Sequence, residues 1–161
     1  MKTYESHQVT VPSDAAAIFA AASDMRNMDR LRDQIPAEVQ TYVQEMTTEP
    51  DVLRIKLDGL GQKMGIRIVD RITNDTIKYG IENMPVAGNV WLQMKQIAPS
   101  QTRIKITLKA EIPMMLATML GPRLQDGLNK AADAMANINF NAWMAGFADD
   151  PTALINPNSN K

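Results

Sequence analysis

The sequence contains no cysteine and a single histidine, His7, among its 161 residues. The lack of cysteine excludes disulfide bonds, thiolate catalysis and cysteine-ligated metals. The single histidine excludes every metal site that requires two imidazoles. We therefore expect neither a metal nor a bound cofactor.

An excess of charge of one sign is also lacking, because 17 lysines and arginines nearly balance 18 aspartates and glutamates. The net charge of −1 offers no electrostatic reason to expect nucleic acid or an anionic membrane as a partner. No run approaches the roughly 20 apolar residues that cross a bilayer. The alanine-rich run 15–22 is too short, and Ser13 and Asp14 precede it where a signal peptide carries positive charge. We expect a cytoplasmic protein without a membrane span.

What the sequence does contain is alternation of apolar and polar residues from about Val39 to Ile112. A period of two is typical of strands with one buried face. Turn residues such as Pro50-Asp51 and Asn74-Asp75 separate the runs, and short connections make neighbouring strands antiparallel. With a first strand over Thr3–Val11, the pattern predicts a curved, seven-stranded antiparallel sheet.

Helical signals stand at both ends of this sheet. Pro12 ends the first strand, and an alanine-rich helix and a second short helix around Met25–Leu31 are predicted to follow. After Pro113 the apolar residues recur every three or four positions, which predicts one long helix over Met114–Met144. Gly121-Pro122 either kinks this helix or precedes its true start.

The resulting class is α+β, with the sheet wrapped around the C-terminal helix. Residues 1–148 are expected to form one domain, and residues 149–161, rich in Asn, Asp and Pro, a flexible tail. A twisted sheet of this width forms a trough that a single helix does not fill everywhere. The small residues Gly127, Ala131 and Ala134 on or beside the inward stripe leave two possibilities: a close approach of helix and sheet without a void, or room for a ligand.

The order of these elements resembles the START-like superfamily, also called SRPBCC or polyketide cyclase/lipid-transport-like proteins. A strand, Pro12, a helix containing Phe19 and a turn at Ser23-Asp24 resemble its opening, and the segment from Gly121-Pro122 to Ile138 looks like its C-terminal helix. The resemblance covers Thr3 to about Ala145. The tryptophan that many members carry after the Ser/Asp turn is absent here.

The resemblance implies a helix-grip fold with an apolar tunnel between the sheet and the long helix. Members bind lipids, sterols, polyketides or plant hormones, and some are cyclases or co-chaperone domains. The methionines, 12 in all, suit a pocket that accepts varied apolar shapes or a loosely packed core. The predicted ligand-lining residues are Ile66, Ile68, Tyr79, Ile81, Leu92, Met94, Ile106, Leu108, Met119, Leu120, Leu124, Leu128, Ala131 and Met135.

Three polar residues are candidates for chemistry in such a cavity. His7 shares the face of Val9 and Val11 and is expected to point inward, as a general base or as a structural side chain. Asp70 occupies the inward row of its strand, unless a β-bulge turns it outward toward Lys78. The Tyr79 hydroxyl either reaches the polar end of a ligand or belongs to the core.

The leading hypothesis is a module that binds a small hydrophobic ligand. A cyclase or dehydratase that uses His7, Asp70 or Tyr79 is the second, and it requires at least two of these groups in one cavity. A protein-interaction domain with a filled core is the third, with Trp91 and Ile97 on the outer face of the sheet as its candidate contacts.

Overall fold

The computed structural model describes residues 1–30, 37, 43–57, 63–82 and 87–149. It confirms the predicted α+β class, with an antiparallel sheet and a long helix near the C-terminus. In chain order the elements are β1 (Lys2–Glu5), β2 (Val9–Val11), α1 (Ala15–Ala22), α2 (Arg26–Arg30), β3 (Val43–Glu49), β4 (Val52–Leu57), β5 (Met64–Ile72), β6 (Thr76–Glu82), β7 (Ala87–Ala98), β8 (Gln101–Glu111), α3 (Met114–Ala136) and α4 (Phe140–Asp149).

The sheet has the strand order β1-β8-β7-β6-β5-β4-β3, and β2 pairs with β8 beside β1. Strands β3 to β8 therefore form a meander, as the short connections predict. Apolar residues form continuous rows across the inner face, the face that α3 covers. One such row is Ile68, Tyr79, Val90, Leu108 and Tyr4, in which each residue is the register partner of the next.

A β-bulge divides the predicted first strand into β1 and β2. Glu5 lies opposite Thr107 and Val9 lies opposite Ile104, so three residues of one strand face two of the other. The extra residue reverses which side chains face inward. Ser6 is consequently buried, and its hydroxyl accepts a hydrogen bond of 2.9 Å from the amide of Ile106.

His7 is therefore exposed, and the prediction that it shares the inward face of Val9 and Val11 is wrong. The strict alternation on which that prediction depended stops at the bulge. A second bulge lies in β5, where Ile68 pairs with Tyr79 but Asp70 pairs with Lys78. This bulge turns Asp70 outward, on the side of Lys78, which is the alternative that the sequence left open.

The long helix α3 runs without interruption through Gly121 and Pro122. Glycine at position 121 lets the helix lie against β1, because a Cβ there would be 3.3 Å from the Tyr4 hydroxyl. The helix ends at Ala136, and α4 is separate, so the prediction of one helix to Met144 is wrong. Asn139 starts the new helix, since its side-chain oxygen accepts a hydrogen bond of 3.1 Å from the Ala142 amide.

The helix α4 is held against the start of α1 by polar contacts. The buried Ser13 hydroxyl accepts a hydrogen bond of 2.7 Å from the Phe140 amide. Asp149, the first residue of the predicted tail over 149–161, is the last residue of α4, and residues 150–161 lie outside the described residues. Within the described ranges, no helix combines the length and apolar character that a membrane span requires.

Candidate functional site

Apolar side chains of the central strands and of α3 face one another without being fully buried. Ile66, Ile81 and Val90 project from the sheet, and Leu124 and Leu128 project from α3; all five are half-buried. We call the half-buried apolar surface that these five residues form the inner groove. Residues in a packed core are normally fully enclosed, so this partial exposure marks incomplete filling between helix and sheet.

The position of α3 explains the partial exposure. Its close backbone contacts are with β1, β2 and β8, at one side of the sheet. The short helix α1 makes its close backbone contacts with α4, β6 and β7. The backbone of α3 therefore lies closer to this side of the sheet than to the middle strands β5, β6 and β7.

The buried core is divided at the inner groove. One cluster contains the inward residues of α1, the ends of β6 to β8, Ala132, Ile138 and Phe140. The second is centred on Leu108 and Ala110. Val90 and Leu128 pack against both clusters, and both are half-buried. The interface is thus well packed on either side of the inner groove, and its side chains are less completely buried at the groove.

An open depression of about 590 Å³ lies where β8 meets α3. Its lining includes Lys2, Glu111, Ile112 and Met114. Ile112 also packs against the second core cluster, so the depression adjoins that end of the helix–sheet interface. Three methionines at the start of α3 are strongly exposed there, namely Met114, Met115 and Met119.

Most of the predicted ligand-lining residues face the interior. The fully buried ones are Ile68, Leu92, Met94, Ile106 and Leu108. The half-buried ones are Ile66, Tyr79, Ile81, Leu120, Leu124, Leu128 and Met135. These positions follow from the periods of two and 3.6 in the sequence.

Two predicted lining residues lie on the outside of α3. Ala131 is exposed and Met119 is 58% exposed, while Ala132 is completely buried. Adjacent helical residues point about 100° apart, so an error of one position moves a side chain out of the interface. The inward stripe passes through Gly121, Leu124, Leu128 and Ala132. Val90, which sequence reasoning omitted from the lining, was detectable because it alternates with Leu92 and Met94.

Tyr79 holds the end of α1 against the sheet. Its hydroxyl donates a hydrogen bond of 2.9 Å to the carbonyl oxygen of Ala22. Burial is the larger cause and raises the pKa of the Tyr79 phenol, while the positive charge of Arg71 acts in the opposite direction. The phenol is a hydrogen-bond donor in this setting, and its donor capacity is already used within the protein.

His7 contacts the outer side of α3 and not the inner groove. Its Nε2 lies 2.6 Å from the Asp133 carboxylate, and its backbone amide donates to the side-chain oxygen of Asn129 at 2.9 Å. Gln125, one turn earlier, donates to the carbonyl oxygen of Glu5 at 2.6 Å. These contacts tie the bulge between β1 and β2 to α3.

The three candidate catalytic side chains are not brought together. His7 and Asp70 are exposed on different parts of the surface, and the Asp70 carboxylate accepts a hydrogen bond from the Arg71 amide. The requirement that two of the three share one cavity is not met. Across the described part of the chain, no group of three or more histidine, aspartate or glutamate side chains is placed to hold a metal ion.

The sequence matches no protein-family model and no curated protein. The fold, by contrast, matches solved structures. Norcoclaurine synthase from Thalictrum flavum, in complex with dopamine and hydroxybenzaldehyde, has a TM-score of 0.65 and 15% identity over 84% of each chain. A START superfamily protein from Mycobacterium smegmatis has a TM-score of 0.56 and 15% identity, over 83% of this chain and 94% of the other. A protein from Thermobifida fusca has a TM-score of 0.60 and 16% identity, over 84% and 91%. The chain therefore has the START-like, helix-grip fold that the sequence resemblance implies.

Proposed function

We propose that the protein binds a small hydrophobic molecule in the inner groove, between the sheet and α3. The main observation behind this proposal is that apolar residues of the sheet and of α3, with Val90 and Leu128 at their centre, stay half-buried where two packed clusters meet. A ligand that covered this surface would gain roughly 25 cal/mol for each Å² of apolar area removed from water.

The lining favours a neutral apolar or aromatic ligand. The five residues of the inner groove carry aliphatic side chains, and the Tyr79 hydroxyl is already engaged with Ala22. An ionised ligand group in the groove would therefore lose its hydration without a charged partner. Charged side chains lie instead in the open depression where β8 meets α3, which Lys2 and Glu111 line. A polar ligand end is expected there.

The expected affinity is modest. A ligand that buries about 300 Å² gains roughly 7 kcal/mol before the entropy of association is subtracted. Methionine side chains such as Met94 and Met135 adapt to different apolar shapes, which favours binding of several related ligands over selection of a single one. Norcoclaurine synthase, solved with two small aromatic compounds, supports the capacity of this fold to hold such molecules.

Titration with a fluorescent fatty acid and with a naphthyl probe tests the proposal, combined with native mass spectrometry of the purified protein. The variants Val90→Phe and Leu128→Phe add bulk inside the inner groove. They are expected to weaken probe binding at least tenfold, as a loss of about 1.4 kcal/mol implies. Ala20→Phe adds bulk at an exposed position of α1, and serves as the matched control.

The proposal fails if wild-type protein binds neither probe and retains no molecule. It also fails if both groove variants, shown to be folded by cooperative urea unfolding, bind as tightly as Ala20→Phe. The cyclase hypothesis gains no support from His7, Asp70 and Tyr79, because they do not share a cavity.

A further inference from the structure

The outward face of β6, β7 and β8 carries a concentration of positive charge. We call it the basic face, and its cations are Lys78, Lys95, Arg103, Lys105 and Lys109. From Arg103 to Lys109 along β8 the face extends about 20 Å, at roughly 3.3 Å per residue. Because the whole chain has a net charge of −1, the remaining surface carries a surplus of negative charge.

The carboxylates on this face are fewer than its cations: Glu82 pairs with Arg67 of β5, and Glu111 lies at the end of β8. In the described part of the chain, Lys105 is the cation of the basic face that pairs with a carboxylate, that of Glu5 at 3.5 Å. Asp70 is the register partner of Lys78 and places one negative charge at the β5 side of this face, where its carboxylate accepts the Arg71 amide. Lys95 lies directly opposite Arg103, an arrangement of like charges that destabilises a sheet. Both cations line an open depression of about 370 Å³ on this face, together with Lys105.

Apolar side chains are interspersed with these charges. The Trp91 ring lies near two ammonium groups, 5.4 Å from that of Lys78 and 5.6 Å from that of Lys109. Val69, Ile72 and Ile97 project from the same side of the sheet and are 51%, 56% and 45% exposed. Together with Trp91 they add exposed apolar area to a face that is otherwise charged, and an apolar medium that covered this area would gain its transfer free energy.

We propose that the basic face binds an anionic lipid surface. Four to eight basic residues in a cluster attract acidic lipid head groups, at about 1 kcal/mol for each cation, and exposed aliphatic residues and tryptophan enter the interface beneath them. Single-stranded nucleic acid fits less well, because bases need open aromatic faces and those of Trp91 adjoin two lysines. The proposal does not rest on the inner groove.

Co-sedimentation with phosphatidylcholine vesicles that contain about one third phosphatidylserine, at about 0.1 M salt, tests this proposal. Wild-type protein is expected to bind these vesicles and not vesicles of phosphatidylcholine alone. Removal of one cation is expected to weaken binding about fivefold, so Lys95→Gln with Arg103→Gln weakens it about 25-fold. Arg123→Gln with Lys130→Gln changes the net charge equally on the exposed side of α3, and is expected to leave binding unchanged.

The fluorescence of Trp91 reports whether the basic face is the side of the protein that contacts the bilayer. In a Trp143→Phe background Trp91 is the remaining tryptophan, and brominated acyl chains are expected to quench its fluorescence. Ile72→Ser with Ile97→Ser tests apolar insertion and is expected to weaken vesicle binding at least tenfold. Equal losses in the two charge variants, or equal binding to neutral vesicles, would overturn the proposal. The proposal would also be overturned if the protein left vesicles unbound but bound a single-stranded oligonucleotide or polyglutamate, and if that binding were lost in the variant of Lys95 and Arg103.

Discussion

The carboxylate of Asp14 accepts a hydrogen bond of 2.8 Å from the backbone amide of Ser100, which joins the start of α1 to the turn between β7 and β8. The side-chain amides of Asn141 and Gln96 donate to the same carboxylate at 2.8 and 2.7 Å. Asp14 therefore connects four parts of the chain: α1, the end of β7, the following turn and α4.

These donors lower the pKa of Asp14 below its ordinary value of 3.8, with the Ser100 amide as the largest cause. The folded state then binds fewer protons than the unfolded state near this pH. The stabilisation is complete above pH 3.8 and is lost as the pH falls through the lower folded value. Asp14→Asn is expected to be less stable than wild type at neutral pH, with a difference that narrows in acid.

Urea unfolding at a series of pH values measures this difference. Asn141→Ala removes one of the three donors and is expected to reduce the pH dependence in part. A difference between wild type and Asp14→Asn that stays constant from neutral pH to well below 3.8 would contradict the role given to the carboxylate.

Two glycine-to-alanine substitutions are expected to change stability in opposite directions. Gly127 is exposed within α3, and a Cβ there meets no atom within 4 Å. Gly127→Ala is expected to raise the free energy of unfolding by about 1 kcal/mol through helix propensity. Gly88→Ala is expected to lower it by about 1–3 kcal/mol, because its Cβ would lie 2.4 Å from the Lys109 carbonyl oxygen. Denaturation midpoints that shift in the same direction would refute this assignment.

Tyr79→Phe separates a structural hydroxyl from a ligand-binding one. Loss of the hydrogen bond leaves the Ala22 carbonyl oxygen unpaired and is expected to lower the free energy of unfolding by about 1 kcal/mol. Probe affinity for the inner groove is expected to stay within twofold. Tyr4→Phe, which also removes a phenolic hydroxyl from the inner row, is the matched control. Unchanged stability with a large loss of probe binding would instead assign the hydroxyl to the ligand.

The pair formed by His7 and Asp133 is expected to be structural and weak. Their side chains are 49% and 58% exposed, so solvent screens the interaction. A double-mutant cycle with His7→Ala and Asp133→Ala, followed by chemical denaturation, is expected to give a coupling free energy of at most about 1 kcal/mol. Neither substitution is expected to alter probe binding. If His7→Ala lost probe binding and Asp133→Ala did not, this histidine would have a role in ligand binding.

The fold class was predictable because the two hydrophobic periods are local properties. Ile66, Ile81, Leu124 and Leu128 were found from alternation or from helical spacing without knowledge of any contact. The failures have equally specific causes. His7 was misplaced because one extra residue in a strand reverses the facing of every later side chain. Ala131 was misplaced because adjacent residues of a helix point about 100° apart, so an error of one position rotates the predicted stripe by that angle.

The boundary between α3 and α4 was missed for a different reason. The apolar spacing continues through Ile138 to Ala142, so periodicity alone predicts one helix. The break is stabilised by the Ser13 hydroxyl, which is distant in sequence and accepts the Phe140 amide at the start of α4. A contact of that kind leaves no trace in the local pattern.

By itself the sequence determined the alternating strands, the long amphipathic helix and their order, because each depends on residues that are neighbours along the chain. Only the tertiary structure decided which positions the bulges turn outward, how far α3 lies from the middle of the sheet, and where charge collects. Bulges and charged faces arise from the register between strands that are far apart in sequence. A nearly neutral composition is therefore compatible with a face such as that of Lys95, Arg103 and Lys109.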